Sequence, residues 1–360
     1  MLEELRQCGV CPFRCKVNRL EGKIGKCGCN DKIKIALASL HYYEEPCISG
    51  KNGSGTVFFS NCNLNCLFCQ NYKISQEGKG REVSIEELAD IFLNQQKNGA
   101  NNINLVTPTM YAYQIIEALK IAKSKGLIIP VIYNTNGYEN VETIKALKGY
   151  IDVYLPDLKY YSNEIAVKYS KAPNYFEIAT KAILEMINQV ETPEFNENGL
   201  IKKGVIIRHL VLPGHIQNSK HILKWLKENV NSRAYVSVMA QYFPTYKAKE
   251  DKYNINIEID IKNTGNYDIE EVVQCYIKDL ESKYAVKNYS LANFKRVSLK
   301  CGETKTIKMS LNKRAFEVVD YEGNRVVDSK KFKLFVGVSQ PDTRSIELLK
   351  KAPLEYEISL

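Results

Sequence analysis

Three thiols fall within the stretch Cys62-Asn63-Leu64-Asn65-Cys66-Leu67-Phe68-Cys69. Thiolates so spaced can wrap one corner of a cubane iron–sulfur cluster, each taking one iron. Three ligands instead of four leave one iron coordinatively open, and an open iron can accept an amino and a carboxylate group from outside the protein. A zinc knuckle is the competing reading, although zinc sites usually show paired Cys-x-x-Cys units or His partners. Three unrelated buried thiols are the plainest alternative. A second group, Cys8-x-x-Cys11-x-x-x-Cys15 with Cys27 further along, makes a candidate second metal site, with Cys29 and Cys47 to spare. Pro12, Gly22, Gly25 and Gly28 supply the tight turns that chelating loops need. Zinc, an auxiliary iron–sulfur cluster and packed, reduced thiols are all consistent with this second group.

Nine of the eleven cysteines precede residue 70. A disulfide framework spreads its cysteines over the domain it staples, so this crowding points to metal binding in a reducing compartment. The N-terminal Met1-Leu2-Glu3-Glu4-Leu5-Arg6 lacks the basic-then-apolar layout of a secretory signal. No apolar run reaches the roughly 18 residues of a membrane span. The expectation is a cytoplasmic protein with no membrane partner. The net charge of +9 is carried by scattered Lys without a dense basic block, which lends no support to a nucleic-acid partner. With 360 residues, 44% hydrophobic and 25% charged, the chain reads as globular and large enough for two domains.

The elements that must position these thiols follow a βα rhythm. Candidate strands are Thr56 to Phe59, Ile103 to Val106, Pro130 to Tyr133, Ile151 to Leu155, Val205 to Leu212 and Ala234 to Val238, all rich in residues suited to buried parallel strands. Between them, Ser84 can cap a helix with Glu87 at capping-box spacing. Further helices are expected over Tyr111 to Lys125, Glu139 to Lys148, Tyr175 to Gln189 and Ser219 to Asn229. Six strands with intervening helices predict a partial (β/α)6 TIM-like barrel, whose chemistry collects on loops after the carboxyl ends of strands. The thiol stretch directly follows the first of these strands. Beyond a charged linker at 248–252 the pattern changes. Tyr253, Ile255, Ile257, Ile259 and Ile261 alternate with polar residues, and Val272 to Ile277, Phe294 to Leu299, Thr306 to Leu311 and Phe332 to Val338 follow as strands separated by turn signals. An antiparallel β-sandwich is expected there. The resulting fold class is α/β plus all-β. The segments are a Cys-rich 1–52, a barrel over 53–247, the linker, a sandwich over 253–345 and a tail over 346–360.

The spacing of Cys62, Cys66 and Cys69, with aromatic Phe68 before the third, resembles the signature of the radical S-adenosylmethionine (SAM) superfamily. Residues Cys8 to Lys247 are further similar to homologues of pyruvate formate-lyase activating enzyme. The matching stretches include His41-Tyr42-Tyr43-Glu44-Glu45-Pro46-Cys47-Ile48-Ser49-Gly50, Tyr133-Asn134-Thr135-Asn136-Gly137-Tyr138, Leu155-Pro156-Asp157-Leu158-Lys159-Tyr160 and Arg208-His209-Leu210-Val211-Leu212-Pro213-Gly214. The resemblance implies a 4Fe–4S cluster on the three cysteines, with SAM chelating its open iron. One-electron reduction would then release a 5′-deoxyadenosyl radical able to abstract hydrogen. By the same resemblance Phe68 sits near the adenine. Lys159 can hold the SAM carboxylate, Asp157 can accept from its amine or a ribose hydroxyl, and Asn134, Asn136, Arg208 and His209 complete a cofactor site. The partners implied are a glycyl radical enzyme or another protein substrate, and a reductant such as flavodoxin or ferredoxin. Related activating enzymes carry a Gly-Gly-Glu turn after the second strand, where this chain has Thr107-Pro108-Thr109. Residues from about 253 to 345 resemble the fibronectin type III-like domain of family 3 glycoside hydrolases, at Asn263-Thr264-Gly265, Phe294 to Leu299, Gly302 to Lys305 and Val336 to Ser339. Such a domain is an accessory, since glycoside hydrolysis needs two carboxylates flanking the bond. Two other functions fit the same features: a catalytically silent metal-binding protein and a carbohydrate-associated accessory protein.

Cys66→Ala should abolish SAM cleavage and the absorbance of the cluster held by Cys62, Cys66 and Cys69, because two thiolates hold a cubane insecurely. Cys275→Ala and Cys301→Ala should leave iron content unchanged. Iron analysis of the three anaerobically prepared variants checks the ligand assignment.

Overall fold

The computed structural model describes residues 1–249, 255–284 and 289–359. It divides into two compact units, Met1–Leu212 with Asn218–Tyr246, and Pro213–Gln217 with Lys247–Leu360. Residues 250–252 of the expected linker, and Tyr253 at the head of the alternating strand, lie outside the described residues.

The first unit is built on one sheet. Its strands are β1 (Ile33–His41), β2 (Ser54–Phe59), β3 (Arg81–Val83), β4 (Ile103–Val106), β5 (Val131–Thr135), β6 (Val153–Pro156), β7 (Glu194–Phe195), β8 (Ile201–Leu210) and β9 (Tyr235–Met239). They run in the order β3-β1-β2-β4-β5-β6-β8-β7, with β9 also paired to β8. The ladder β2-β4-β5-β6-β8-β9 is parallel throughout. Those six strands are the ones the sequence marks. Among the described residues no pairing joins β9 back to β1, so the sheet is a partial barrel. The pattern gave no sign of β1, an antiparallel strand against β2 whose outer positions are only half-buried. Its apolar residues do not form the continuous run of a central strand.

The helices are α1 (Pro46–Ser49), α2 (Tyr72–Ser75), α3 (Ile85–Lys97), α4 (Ala112–Ser124), α5 (Val141–Ala146), α6 (Asn163–Ser170), α7 (Tyr175–Val190) and α8 (Ile216–Asn229). The expected capping box opens α3: Ser84 Oγ accepts from Glu87 N at 3.1 Å, and Glu87 Oε2 accepts from Ser84 N at 2.7 Å. Leu88, Ala89 and Phe92 form the buried face. None of the described helices is long and apolar enough to cross a membrane.

Strand parity sorts the sheet's side chains into two layers. Leu105, Tyr133, Tyr154, Val205 and Ile207 join the large core beneath the helices. Ile132, Val153, Leu155 and Ile206 join a smaller cluster with Ile48 and Ile201. Because side chains alternate with period two, Asn134 and Arg208 share a face with Ile132 and Ile206, on the inside of the partial barrel.

In the second unit, β11 (Ile269–Asp279), β12 (Ser290–Leu299), β16 (Lys331–Gly337) and β17 (Leu354–Ser359) form a four-stranded antiparallel sheet ordered β12-β11-β16-β17, with β10 (Ile255–Lys262) paired to β13 (Thr304–Leu311) and β14 (Val318–Val319) to β15 (Arg325–Val326). Alternating isoleucines of β10 pack on a core of Val273, Cys275, Ile277, Leu311, Phe316 and Phe332. Buried Asn263 fixes the Asn-Thr-Gly turn, its Oδ1 accepting from Gly265 N at 2.9 Å while Nδ2 donates to Tyr267 O at 2.7 Å. Of the stretch 346–360, read from the sequence as a tail, residues 346–359 are instead the end of α9 (Thr343–Leu349) followed by β17, which pairs with β16 along its length, and Leu360 lies outside the described residues. Its residues Leu354-Glu355-Tyr356-Glu357-Ile358 do alternate, but they lie beyond the expected end of the sandwich.

Between the sheet and the helices, Glu139 is 1% exposed and accepts from Thr109 Oγ1 at 2.6 Å and from Thr135 Oγ1, while its Oε2 has no hydrogen-bond partner. Burial pushes its carboxyl up to about 7, the hydroxyl donors opposing only in part. Between about 4.5 and about 7 the folded chain therefore holds a proton that the unfolded chain releases, so stability falls as pH rises through that window. Glu139→Gln should flatten this slope and stabilise the protein near neutral pH by up to about 3 kcal/mol. Urea unfolding on either side of the window reads it, and identical pH responses of parent and variant would contradict it.

Candidate functional site

The loop 62–69 leaves the carboxyl end of β2 and is pinned from two sides. Asn65 N and Leu67 N donate to Ser170 O and Tyr169 O at 3.0 and 2.9 Å, at the end of α6. Asn63 Nδ2 donates to Tyr138 O at 2.7 Å, and Asn136 Nδ2 donates to Asn63 Oδ1 at 2.7 Å, after β5. Each sulfur has a polar neighbour. Leu64 N and Asn136 Nδ2 reach Cys62 Sγ at 3.4 Å. Ser170 Oγ donates to Cys66 Sγ at 3.0 Å, and Ser75 Oγ lies 3.1 Å from Cys69 Sγ. Among the described residues no three His, Cys, Asp or Glu groups stand close enough to share one metal ion. A cubane makes no such demand, since each thiolate binds a separate iron. Three thiols on one short loop, each with a polar neighbour at its sulfur, fit a cubane as the donor set, while burial holds the Cys62 and Cys66 thiols above the ordinary range and the donors oppose it only in part.

Beside the cysteines lies a charged network at the carboxyl ends of β5, β6 and β8. Arg208 donates from Nε to Asp157 Oδ1 at 3.0 Å and from Nη2 to Asn134 Oδ1 at 2.6 Å. Lys159 Nζ donates to Asp157 Oδ2 at 2.5 Å. Glu44 closes the ring, its Oε2 3.8 Å from Arg208 Nη1 and its Oε1 3.3 Å from His41 Nδ1. Burial alone would raise the Asp157 carboxyl, but Arg208 and Lys159 outweigh it and hold the group below the usual carboxylate range. Burial likewise opposes the Lys159 ammonium, while Asp157 and Cys66 carry it upward. The network thus presents one carboxylate held by two cations, next to Cys66, in a largely buried setting suited to a zwitterion's charges.

The loops after β5 and β6 are locked together. Tyr175 Oη lies 2.7 Å from Asn136 O and 2.9 Å from Asp157 O, and accepts from Lys159 N at 3.1 Å. Gly137 has φ +80°, and a Cβ there would stand 2.1 Å from Asp157 O. Only glycine fits. Thr107, in the Thr-Pro-Thr turn after β4, also has positive φ, at 60°, an uncommon conformation for a β-branched residue. Thr109 is fully buried and spent on Glu139.

Of the cofactor residues expected from the sequence, Asn134, Asp157, Lys159 and Arg208 meet in one network, and Asn136 touches Cys62. Phe68 sits partly buried against Tyr242, ring centroids 5.7 Å apart. His209 does not join them. It is fully buried, with Nδ1 2.7 Å from Leu158 O and Nε2 2.8 Å from Ser219 Oγ. Next to inward Arg208 on β8, it must face the helix layer, where it packs as a structural residue. Sequence reasoning missed Glu44, Ser170 and Tyr175. Glu44 lies inside the His41–Gly50 stretch whose match was noted without a role, whereas Ser170 and Tyr175 have no local signal. Asn104 of β4 is fully buried with neither amide atom bonded, a polar group left open within the sheet. The N-terminal thiols Cys8, Cys11, Cys15 and Cys27 lie in one folded segment, with Cys8 and Cys11 buried.

Residues 56–226 match the radical SAM superfamily, and residues 271–340 match the fibronectin type III-like domain. An uncharacterized protein of Methanocaldococcus jannaschii is 36% identical over 259 residues, covering 68% of each chain. The second unit is similar to part of a thermostable beta-glucosidase B from Acetivibrio thermocellus, 34% identical over 27% of this chain and 13% of that protein. It is also similar to part of a putative beta-xylosidase from Formosa agariphila, 31% identical over 24% of this chain and 12% of that one. Those two likenesses span about an eighth of the glycosidases' length. With the first match running from β2 into α8, and a relative alike over two thirds of both chains, this chain belongs to the radical SAM superfamily.

Proposed function

We propose that this protein reductively cleaves SAM and directs the resulting 5′-deoxyadenosyl radical to a hydrogen atom on a substrate. The observation that carries the reading is the adjacency of two groups: the thiols of residues 62–69, and the Asp157–Lys159–Arg208 network at the carboxyl ends of parallel strands. The cluster and SAM supply an electron and a sulfonium carbon–sulfur bond that breaks homolytically on accepting it. The chain's residues do the rest. Lys159 can take the SAM carboxylate, and Asp157 the amine or a ribose hydroxyl, by exchanging part of their mutual pair. Phe68 and Tyr242 offer an apolar wall for the adenine. Asn136 and Ser170 hold Cys62 and Cys66 in place.

The finer reading takes a glycine Cα–H of a partner enzyme as the target, by resemblance to pyruvate formate-lyase activating enzymes, with flavodoxin or ferredoxin as electron donor. The N-terminal thiols would hold zinc or an auxiliary iron–sulfur cluster, and the setting would be cytoplasmic. The second unit reads as an accessory. Its likeness to the beta-glucosidase segment favours one further role, glycan attachment, and a glycan-binding screen of the full chain without any hit would remove it.

Anaerobic reconstitution with iron and sulfide, followed by reduction with SAM, should release 5′-deoxyadenosine; folded, iron-replete protein that releases none would refute catalysis. Lys159→Met should weaken SAM binding by about tenfold or more, the loss of one charge-assisted contact. It should also leave Asp157 paired with Arg208, so iron content stays at the parent's level.

A further inference from the structure

The N-terminal thiols form a built site that the catalytic reading does not use. The backbone folds them into two facing knuckles. Cys8 N donates to Val17 O and Lys16 N to Cys8 O, both at 3.0 Å, while Gly25 N donates to Cys29 O at 3.0 Å and Gly28 N to Gly25 O at 2.9 Å. A Cβ on Gly25 would lie 3.3 Å from Cys15 Sγ and 3.6 Å from Cys27 Sγ. Both sulfurs thus lie against the same glycine. Asn140 Nδ2 and Thr143 Oγ1 clamp the first knuckle through Gly9 O and Val10 O, at 2.5 and 2.7 Å.

An independent observation says what charge belongs there. Arg19 is fully buried. It donates to Asn30 O at 2.8 Å and Met110 O at 2.7 Å, and its Nη1 lies 3.9 Å from Cys8 Sγ. Its Nη2 has no hydrogen-bond partner, and among the described residues no carboxylate pairs with it. A buried guanidinium without an anion is costly. Neutral thiols do not neutralise it, whereas metal-bound thiolates do.

Four thiols without a histidine suit zinc and an iron–sulfur cluster alike. What favours the cluster is position: the site abuts the catalytic loop. Cys29 Sγ lies 3.3 Å from Tyr111 Oη and 3.4 Å from Asn61 Nδ2, Tyr111 Oη lies 3.3 Å from Ser60 O, and Asn61 is bonded to Cys62.

We propose that Cys8, Cys11, Cys15 and Cys27 hold a second iron–sulfur cluster with Arg19 as its buried counter-ion, and that this cluster passes electrons to the catalytic one across Cys29 and Asn61. This rests on the radical SAM reading above. In each turnover one electron moves from a reduced protein carrier of the flavodoxin or ferredoxin class to the second cluster, and from there to the catalytic cluster. It ends in the broken sulfonium–C5′ bond, giving methionine and the 5′-deoxyadenosyl radical, with both clusters back in their oxidised states.

The test uses the full chain, reconstituted anaerobically with iron and sulfide. The triple variant Cys62→Ala, Cys66→Ala, Cys69→Ala should keep about half the parent's iron and acid-labile sulfide, with a reduced-state paramagnetic signal that SAM does not perturb. Zinc alone, or no metal, in that variant overturns the proposal, while SAM cleavage by the parent separately tests the catalytic reading. The double variant Cys11→Ser, Cys27→Ser should keep the SAM-responsive signal. It should cleave SAM at close to the parent's rate with dithionite, yet roughly tenfold or more slowly with reduced flavodoxin. Equal rates, or equal losses, with the two reductants overturn the relay. Unchanged circular dichroism certifies the fold of each variant.

Discussion

Everything in the first unit converges on one buried arrangement of charge, the Asp157 carboxylate shared between Lys159 and Arg208. A carboxylate removed from water is expensive unless paired and hydrogen-bonded, and here both oxygens are taken. The pairing has a structural price as well: β6 and β8 must lie in register so that Arg208 reaches across, and a parallel bridge between Asp157 and Arg208 marks that register. Asn134 then ties β5 into the same assembly. The strands are thus fixed at the end where the cysteine loop emerges, and the position of that loop is set by chemistry as well as by packing.

Much of this was legible in the residues. The parallel strands show as apolar runs, α3 announces itself through Ser84 and Glu87, and the cysteine spacing points to a cluster with a zinc knuckle as its competitor. Facing was harder to read. Arg208 and His209 are neighbours of equal promise in the sequence, yet a strand sends them to opposite sides, and only the identity of the inner layer decides which is useful. Ser170 and Tyr175 were invisible for a different reason: a hydroxyl acquires its role from what tertiary structure brings to it. The antiparallel β1, flanked by β3 over only three of its residues, and the edge strand β17 lack the marks of buried parallel strands and were overlooked.

The second unit teaches a separate lesson. Its core is complete, from the isoleucines of β10 to Phe316 and Phe332. Cys275 is buried within it and Cys301 is exposed, with its thiol 3.2 Å from Gly265 O. Neither cysteine resembles a metal ligand. A sandwich with a core of its own can accompany chains of quite different chemistry.

The close approach at Gly137 has a broader meaning. Where one loop's backbone leaves no room for a methyl group beside the next, and a single phenol bridges both, the two loops form one rigid jaw. Evolution cannot easily reshape such a jaw for a new substrate without breaking it. The opposite jaw, the 41–50 segment, has Tyr42 and Tyr43 exposed and meets the network at longer range, through Glu44 and the charge of Glu45. A side chain placed at Gly137 would therefore be felt at both loops at once and, through Asp157, at the charges beyond them.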